Sequence, residues 1–147
     1  MTGTLRFADF AVGQVFRSAS HTVTADEIKA FAEEFDPQPF HLDDAAADAG
    51  PFQGLAASGW HTAAITMRLL VLGGLPIAGG IVGAGIDALR WHRPVRPGDT
   101  LVAESEVLEV IPSASRPGQG RLRVASRTLL ADGTPVQSMV ATLVVRA

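Results

Sequence analysis

Ser58-Gly59-Trp60-His61-Thr62-Ala63-Ala64-Ile65-Thr66-Met67-Arg68-Leu69-Leu70-Val71-Leu72 is the stretch on which the fold turns. It reads as a helix from Ser58 to about Leu72, closed by Gly73-Gly74, in which only Ser58, His61, Thr62, Thr66 and Arg68 are polar. A helix apolar on nearly every side cannot face water and has to be wrapped, here by a sheet. The wrapping material lies downstream. Ile81–Trp91, Thr100–Ile111, Arg121–Leu130 and Pro135–Val145 read as four strands, separated by turn signals at Pro94 to Asp99, Pro112 to Gly120 and Asp132-Gly133. Asp-Gly between two apolar runs is a strong hairpin signal, and long strands at short connections imply an antiparallel meander.

Upstream, Val15 to Val23 forms a further strand, with Val15, Arg17, Ala19, His21 and Val23 expected on one face. Thr24 and Glu27 then have the spacing of a capping box. Ile28, Phe31, Ala32 and Phe35 follow at helical spacing and define the expected buried face. Pro37 and Pro39 end that helix, because proline lacks the amide hydrogen and restricts its predecessor. A short helix from Asp43 to Asp48 is expected next, stopping at Gly50-Pro51. The fold class is therefore α+β: a curved antiparallel sheet around one long central helix, with a short helical overhang.

The 147 residues, 47% hydrophobic and 18% charged, suit one compact domain over 1–147. A chain of that size buries about 68–70% of its unfolded surface. The net charge of −3, with no basic stripe, excludes a nucleic-acid partner. The absence of cysteine removes disulfides, thiolate metal sites and cysteine nucleophiles. Met1 to Arg17 has no continuous apolar core and reads as mature protein rather than a signal peptide. The longest apolar run, Leu69 to Ile81, is interrupted by Gly73, Gly74, Pro76, Gly79 and Gly80, so no membrane partner is expected and a cytoplasmic location follows as the default.

Chemistry concentrates between the first two helices. Phe35-Asp36-Pro37-Gln38-Pro39-Phe40-His41-Leu42-Asp43 puts a carboxylate and an imidazole on a loop that two prolines constrain. In the plain reading Asp36 caps a turn and His41 is a buried hydrogen-bonding residue. In the functional one they form a preorganised proton-transfer pair. Gly59 is either a simple helix start behind the N-cap Ser58 or a backbone donor at the positive end of the helix, and the two readings are compatible.

Other patterns lead nowhere. Gly83-Ala84-Gly85-Ile86-Asp87-Ala88 has dinucleotide-turn spacing but runs into Leu89-Arg90-Trp91 without a helix. Ser58 lacks the flanking G-x-S-x-G of a nucleophile elbow. His41, Asp43 and His61 have no metal-ligand spacing, so no metal is expected, and His61 reads as a helix-surface or lid residue. Arg90, Arg93 and Arg96 either lie solvated or meet a phosphate.

Asp36-Pro37-Gln38-Pro39-Phe40-His41 resembles the hydratase motif of the MaoC-like dehydratases and R-specific enoyl-CoA hydratases, a branch of the hotdog-fold superfamily, with Gln38 where the family often has asparagine. Phe10-Ala11-Val12-Gly13-Gln14-Val15-Phe16 resembles the family's opening strand, and Pro94-Val95-Arg96-Pro97-Gly98-Asp99-Thr100-Leu101 its turn between sheet strands. The resemblance implies a hotdog domain that hydrates an enoyl-CoA, or dehydrates an (R)-3-hydroxyacyl-CoA, as a hydro-lyase. Asp36 and His41 fall on the catalytic pair, and Gly59 on the glycine whose amide binds the thioester carbonyl. Ser58, Trp60 and Met67 join the substrate-binding set, and Arg90 and Arg93 the coenzyme A contacts. Met67 stands where some hydratases carry a helix serine bonded to the aspartate. Coenzyme A enters only as part of the substrate, with no other cofactor, and a homodimer or dimer-based oligomer is implied. A hotdog thioesterase and a non-catalytic acyl-thioester-binding subunit are the alternatives.

Overall fold

A computed structural model describes residues 3–147; Met1 and Thr2, the first residues of the expected 1–147 domain, lie outside the described residues. The elements run β1 (Val15–Thr22), α1 (Ala25–Phe35), α2 (Pro39–Leu42), α3 (Asp44–Asp48), α4 (Gly59–Leu69), β2 (Val82–Trp91), β3 (Thr100–Pro112), β4 (Gly120–Leu130) and β5 (Pro135–Val145). The strands make one antiparallel sheet in the order β1-β3-β4-β5-β2. Alternate residues of its central strands, such as Leu101, Ala103, Val107, Leu122 and Val124, are buried. With α4's Ile65 and Leu69 they make the core.

The meander expected from the short connections holds only for β3, β4 and β5. β2 does not neighbour β3 but pairs with β5 at one edge, Trp91 opposite Gln137 and Val82 opposite Val144. The segment between β2 and β3 crosses the end of the sheet, anchored by the fully buried Val95, whose carbonyl accepts from the Ala57 amide at 2.9 Å. That crossing carries it past the start of α4.

β1 departs from simple alternation as well. Arg17 is opposite Glu104 but Ser20 is opposite Val102, so β1 holds one extra residue and its facing changes there. Val15, Arg17 and Ala19 are exposed, while His21 is half-buried and Val23 buried; the five do not share a face. Residues 10–14 are not strand: Phe10 closes a short 3-10 turn, and of the expected opening strand only Val15 and Phe16 pair into the sheet.

α1 begins as the capping box requires. The Glu27 amide donates to Thr24 Oγ1 at 3.2 Å, and Glu27 Oε1 accepts from the Thr24 amide at 2.8 Å. Ile28 and Ala32 are buried, yet Phe31 is half-buried and Phe35 is 67% exposed. Phe35 packs on Phe31, 5.1 Å away centroid to centroid, and is otherwise largely open to solvent.

The central helix is not wrapped all round. It is α-helical to Leu69 and widens into a π turn over Leu70–Gly74, ended by Gly73 at φ 130°. It buries His61, Thr62, Ile65, Thr66 and Leu69. Trp60, Met67, Val71 and Leu72 are exposed, alongside the equally exposed Val82 and Ile86 of β2. No helix among the described residues is long and apolar enough to cross a membrane.

Because α1 delivers Asp36, its cap bears on the site. Thr24→Ala is expected to cost about 1 kcal/mol, read as a lower urea midpoint with an unchanged slope.

Candidate active site

Pro37 stops α1 and leaves Asp36 as its C-cap, at φ −152° and ψ 67°, with its amide still donating to Ala32 O at 2.9 Å. The Gln38 amide folds back on Asp36 O at 2.7 Å, and Pro39 opens the one-turn helix α2, preset for N1 by its fixed φ. The expected irregular loop therefore contains a helical turn, and that turn aims His41 inward. Asp43 caps the next helix by accepting from the Ala46 amide at 2.8 Å.

His41 is buried. Its ring packs edge-on to Phe40 and nearly parallel to Phe52. His41 Nδ1 lies 2.6 Å from the Ala56 carbonyl, which can only accept, so Nδ1 carries the proton. Nε2 is thereby directed at Asp36 Oδ2, 3.3 Å away. The carbonyl that sets this tautomer is itself held. Arg96 donates to the carbonyls of Phe52 and Leu55, strapping down the turn that contains Gln53 and Gly54 at positive φ. Arg96 is spent on this loop.

Asp36 is mostly shielded by its neighbours. Burial raises its pKa, but hydrogen bonding to the Ser58 hydroxyl and to the Gln38 side-chain amide at 2.6 Å more than offsets that, holding the carboxyl below the ordinary carboxylate range. Ser58 is fully buried and caps α4 through the Trp60 amide at 3.2 Å.

Gly59 is the first residue of α4, so its N–H precedes the intrahelical ladder. It lines a cleft of roughly 340 Å³ with His41, Ala56, Ala57, Thr62, Trp91 and Arg93, among others. A Cβ at Gly59 would lie 2.5 Å from Trp91 Cε2 and 2.6 Å from Cδ2, so a methyl group cannot be added unless the indole moves. A carbonyl oxygen entering this cleft meets a free amide at the positive end of a helix, with a carboxylate–imidazole pair nearby.

The other expected residues fall elsewhere. Trp60 is 59% exposed and stacks edge-on to Trp91 without lining this cleft. Met67 is two helical turns along on the open side, where it lines a separate apolar cavity of roughly 80 Å³ with Leu70, Ile81 and Ile86. Arg93 is at the cleft and Arg90 is exposed on β2. Sequence reasoning missed Gln38 as an Asp36 partner, Trp91 as a cleft wall, and Ala56, whose backbone role leaves no side-chain signal.

His61 is not a surface residue: it is 6% exposed, stacked on Phe31 at 4.7 Å, and its Nδ1 has no hydrogen-bond partner among the described residues. It turns toward α1 because a neutral imidazole fills the gap beside Phe31 as an aromatic plate. Burial pushes its pKa below the ordinary histidine value, against the opposing charge of Glu27 and with that of His21. The unfolded chain thus takes up this proton at a higher pH than the folded one. The stability from keeping His61 neutral is present above the ordinary histidine value near 6.5 and lost as pH falls below it. Urea midpoints measured from about pH 7.5 to about pH 5 should fall more steeply for the wild type than for His61→Leu. Equal slopes would remove His61 from the acid limb.

Residues 8–128 match the family described as MaoC like domain. The uncharacterized protein YdeM of Bacillus subtilis (strain 168) is 37% identical over 114 residues, spanning 78% of this chain and 81% of that one. The crystal structure of a MaoC-like dehydratase from Rhodospirillum rubrum superposes with a TM-score of 0.93 at 57% identity, covering 97% of each chain. Unliganded R-hydratase PhaJ1 from Pseudomonas aeruginosa superposes with a TM-score of 0.79 at 28% identity, over 97% of this chain and 86% of that one.

Proposed function

The chain belongs to the MaoC-like dehydratase family of the hotdog fold, and from that premise we propose that it reversibly hydrates a trans-2-enoyl thioester to an (R)-3-hydroxyacyl thioester, with coenzyme A as the carrier. The observation that carries this reading is the convergence of Asp36 Oδ2 and His41 Nε2, 3.3 Å apart, beside a cleft that also contains the free Gly59 amide. Its relation to an R-hydratase supports the product stereochemistry.

In the hydration direction, a water held between Asp36 and His41 gives up a proton to this pair as its oxygen bonds to the β carbon. Electrons move from the Cα=Cβ bond into the thioester carbonyl, and the Gly59 N–H stabilises the enolate oxygen. The pair returns a proton to the α carbon as the carbonyl reforms. Water is the only co-reactant, and atoms balance. His41 can accept at Nε2 because Ala56 keeps the other ring proton on Nδ1. Asp36, held ionised by Ser58 and Gln38, is ready as a base at neutral pH.

Arg93 at the cleft is positioned for the coenzyme A phosphates, with Arg90 further along β2. The exposed apolar surface of β2 and the open side of α4 suit a second copy, making a homodimer through the β2 edge. Met67 lies on that surface.

The first experiment follows loss of enoyl absorbance with crotonyl-CoA and longer or branched enoyl-CoAs, resolving product configuration. Asp36→Asn and His41→Ala should each lower kcat/KM by about 10²-fold or more without unfolding the chain. Near-normal rates in both would sink the mechanism, and release of free thiol in the same tubes would point to a thioesterase instead. Ser58→Ala removes the largest of the influences that lower the Asp36 pKa, so the acid limb of kcat/KM should move to higher pH. An unmoved limb would detach Ser58 from the carboxylate.

A further inference from the structure

Trp91 is tied to the interior in a way that a plain apolar wall does not need. Its indole Nε1 donates to Gln137 Oε1 at 2.9 Å, and Gln137, on β5, is fully buried. Gln137 Nε2 donates to Thr66 Oγ1 at 3.3 Å. Thr66 sits on α4, also fully buried, donating to the Thr62 carbonyl at 2.9 Å and lying 2.6 Å from Thr128 Oγ1 on β4. With the Thr66 proton given to Thr62, Thr128 has to donate, and the amide orientation of Gln137 is the one that satisfies both neighbours. A buried polar chain thus runs from Trp91 through β5 into the helix that begins at Gly59.

The backbone of β2 is adjusted to the same end. Asp87 is opposite Val140 but Arg90 is opposite Ser138, so one extra residue is bulged out between them, and Ala88 there has φ 53°. Alanine rarely adopts that conformation. A bulge exchanges the faces of everything beyond it. Without it, the side chain of Trp91 would point away from Gln137 and from Gly59.

We propose that Trp91 is a positioning residue for the Gly59 amide, its indole pressed against Gly59 Cα and locked by Gln137 and Thr66, so that the tether sets the alignment of the oxyanion donor. The inference rests on the hydratase reading above and adds to it a residue outside the acid–base pair. The donor is a backbone group, which cannot be re-aimed by a rotamer; only the seating of the first turn of α4 can orient it. The indole packs directly against Gly59, the first residue of that turn. Alignment of such a donor matters in the transition state more than in substrate binding, so its loss should appear in kcat.

Trp91→Phe keeps an aromatic ring and removes the N–H; Gln137→Leu removes its acceptor. With crotonyl-CoA, each should lower kcat about tenfold while KM changes less than about twofold, and the double variant should be no slower than the slower single one. An unchanged kcat in Trp91→Phe, an effect confined to KM, or losses that multiply in the double variant would overturn the assignment. Trp91→Phe carries the test if Gln137→Leu does not fold. A spectroscopic measurement stands beside it. In Trp60→Phe the sole indole is Trp91, and binding of the saturated butyryl-CoA should shift its emission. No shift in a protein that hydrates crotonyl-CoA sinks this inference alone; no shift and no turnover by the wild type sinks the hydratase reading with it.

Discussion

Thr66 accepts from Gln137 and Thr128 while donating to the carbonyl of Thr62, a junction that ties α4 to β4 and β5. A helix laid on a concave sheet normally buries its apolar stripe. Here the buried side mixes Ile65 and Leu69 with Thr62, Thr66 and His61, while Trp60, Val71 and Leu72 are left outside. Burying hydroxyls is costly unless each finds a partner, and satisfied ones fix geometry because only one arrangement pairs them all. Thr128 and Gln137 supply the sheet-side partners, both at Thr66. The register of α4, and with it the position of Gly59, is thereby set by directional bonds rather than by apolar contact alone.

A second chain of constraints converges on the same point from the other side. Arg96 straps the Phe52 and Leu55 carbonyls, the strapped loop presents Ala56 O, Ala56 O fixes the His41 ring, and His41 Nε2 then meets Asp36. The Ser58 hydroxyl, which caps α4, lowers the Asp36 pKa in turn. Both routes therefore end at the N-terminus of α4, one at the amide of Gly59 and one at the hydroxyl just before it. The crossing segment between β2 and β3 makes this possible by bringing Arg96 and Val95 under the overhang.

The sequence was legible where local chemistry dictates structure. The Thr24–Glu27 box, the proline stop after Phe35, the Asp132-Gly133 turn and the strand limits each follow from groups close together in the chain. It was opaque where a distant partner decides. The bulges in β1 and β2 invert faces without any mark in periodicity, so Val15, Arg17 and Ala19 could not be told apart from His21 and Val23. The place of β2 beside β5 comes from a crossing whose end point no spacing reveals. Asp36, His41 and Gly59 could be picked out because prolines and a glycine flag them, whereas Gln38, Ala56 and Trp91 act through contacts that composition does not announce.

Met67 and Ser58 show what a shared motif does and does not carry across. A methionine at the helix position where the resemblance leads one to look for a serine would leave Asp36 without a hydroxyl partner if that position were its only source. In this chain Met67 lies two turns from Gly59 on the open side of α4, far along the helix from the carboxylate. The hydroxyl that lowers the Asp36 pKa comes from Ser58, at the cap. A carboxylate needs a donor of suitable geometry, not a donor from a particular sequence position. Once Ser58 and Gln38 meet that need, position 67 is free to be apolar. It then belongs to the same exposed surface as Val71 and Ile86, where a thioether adapts easily to whatever packs against it.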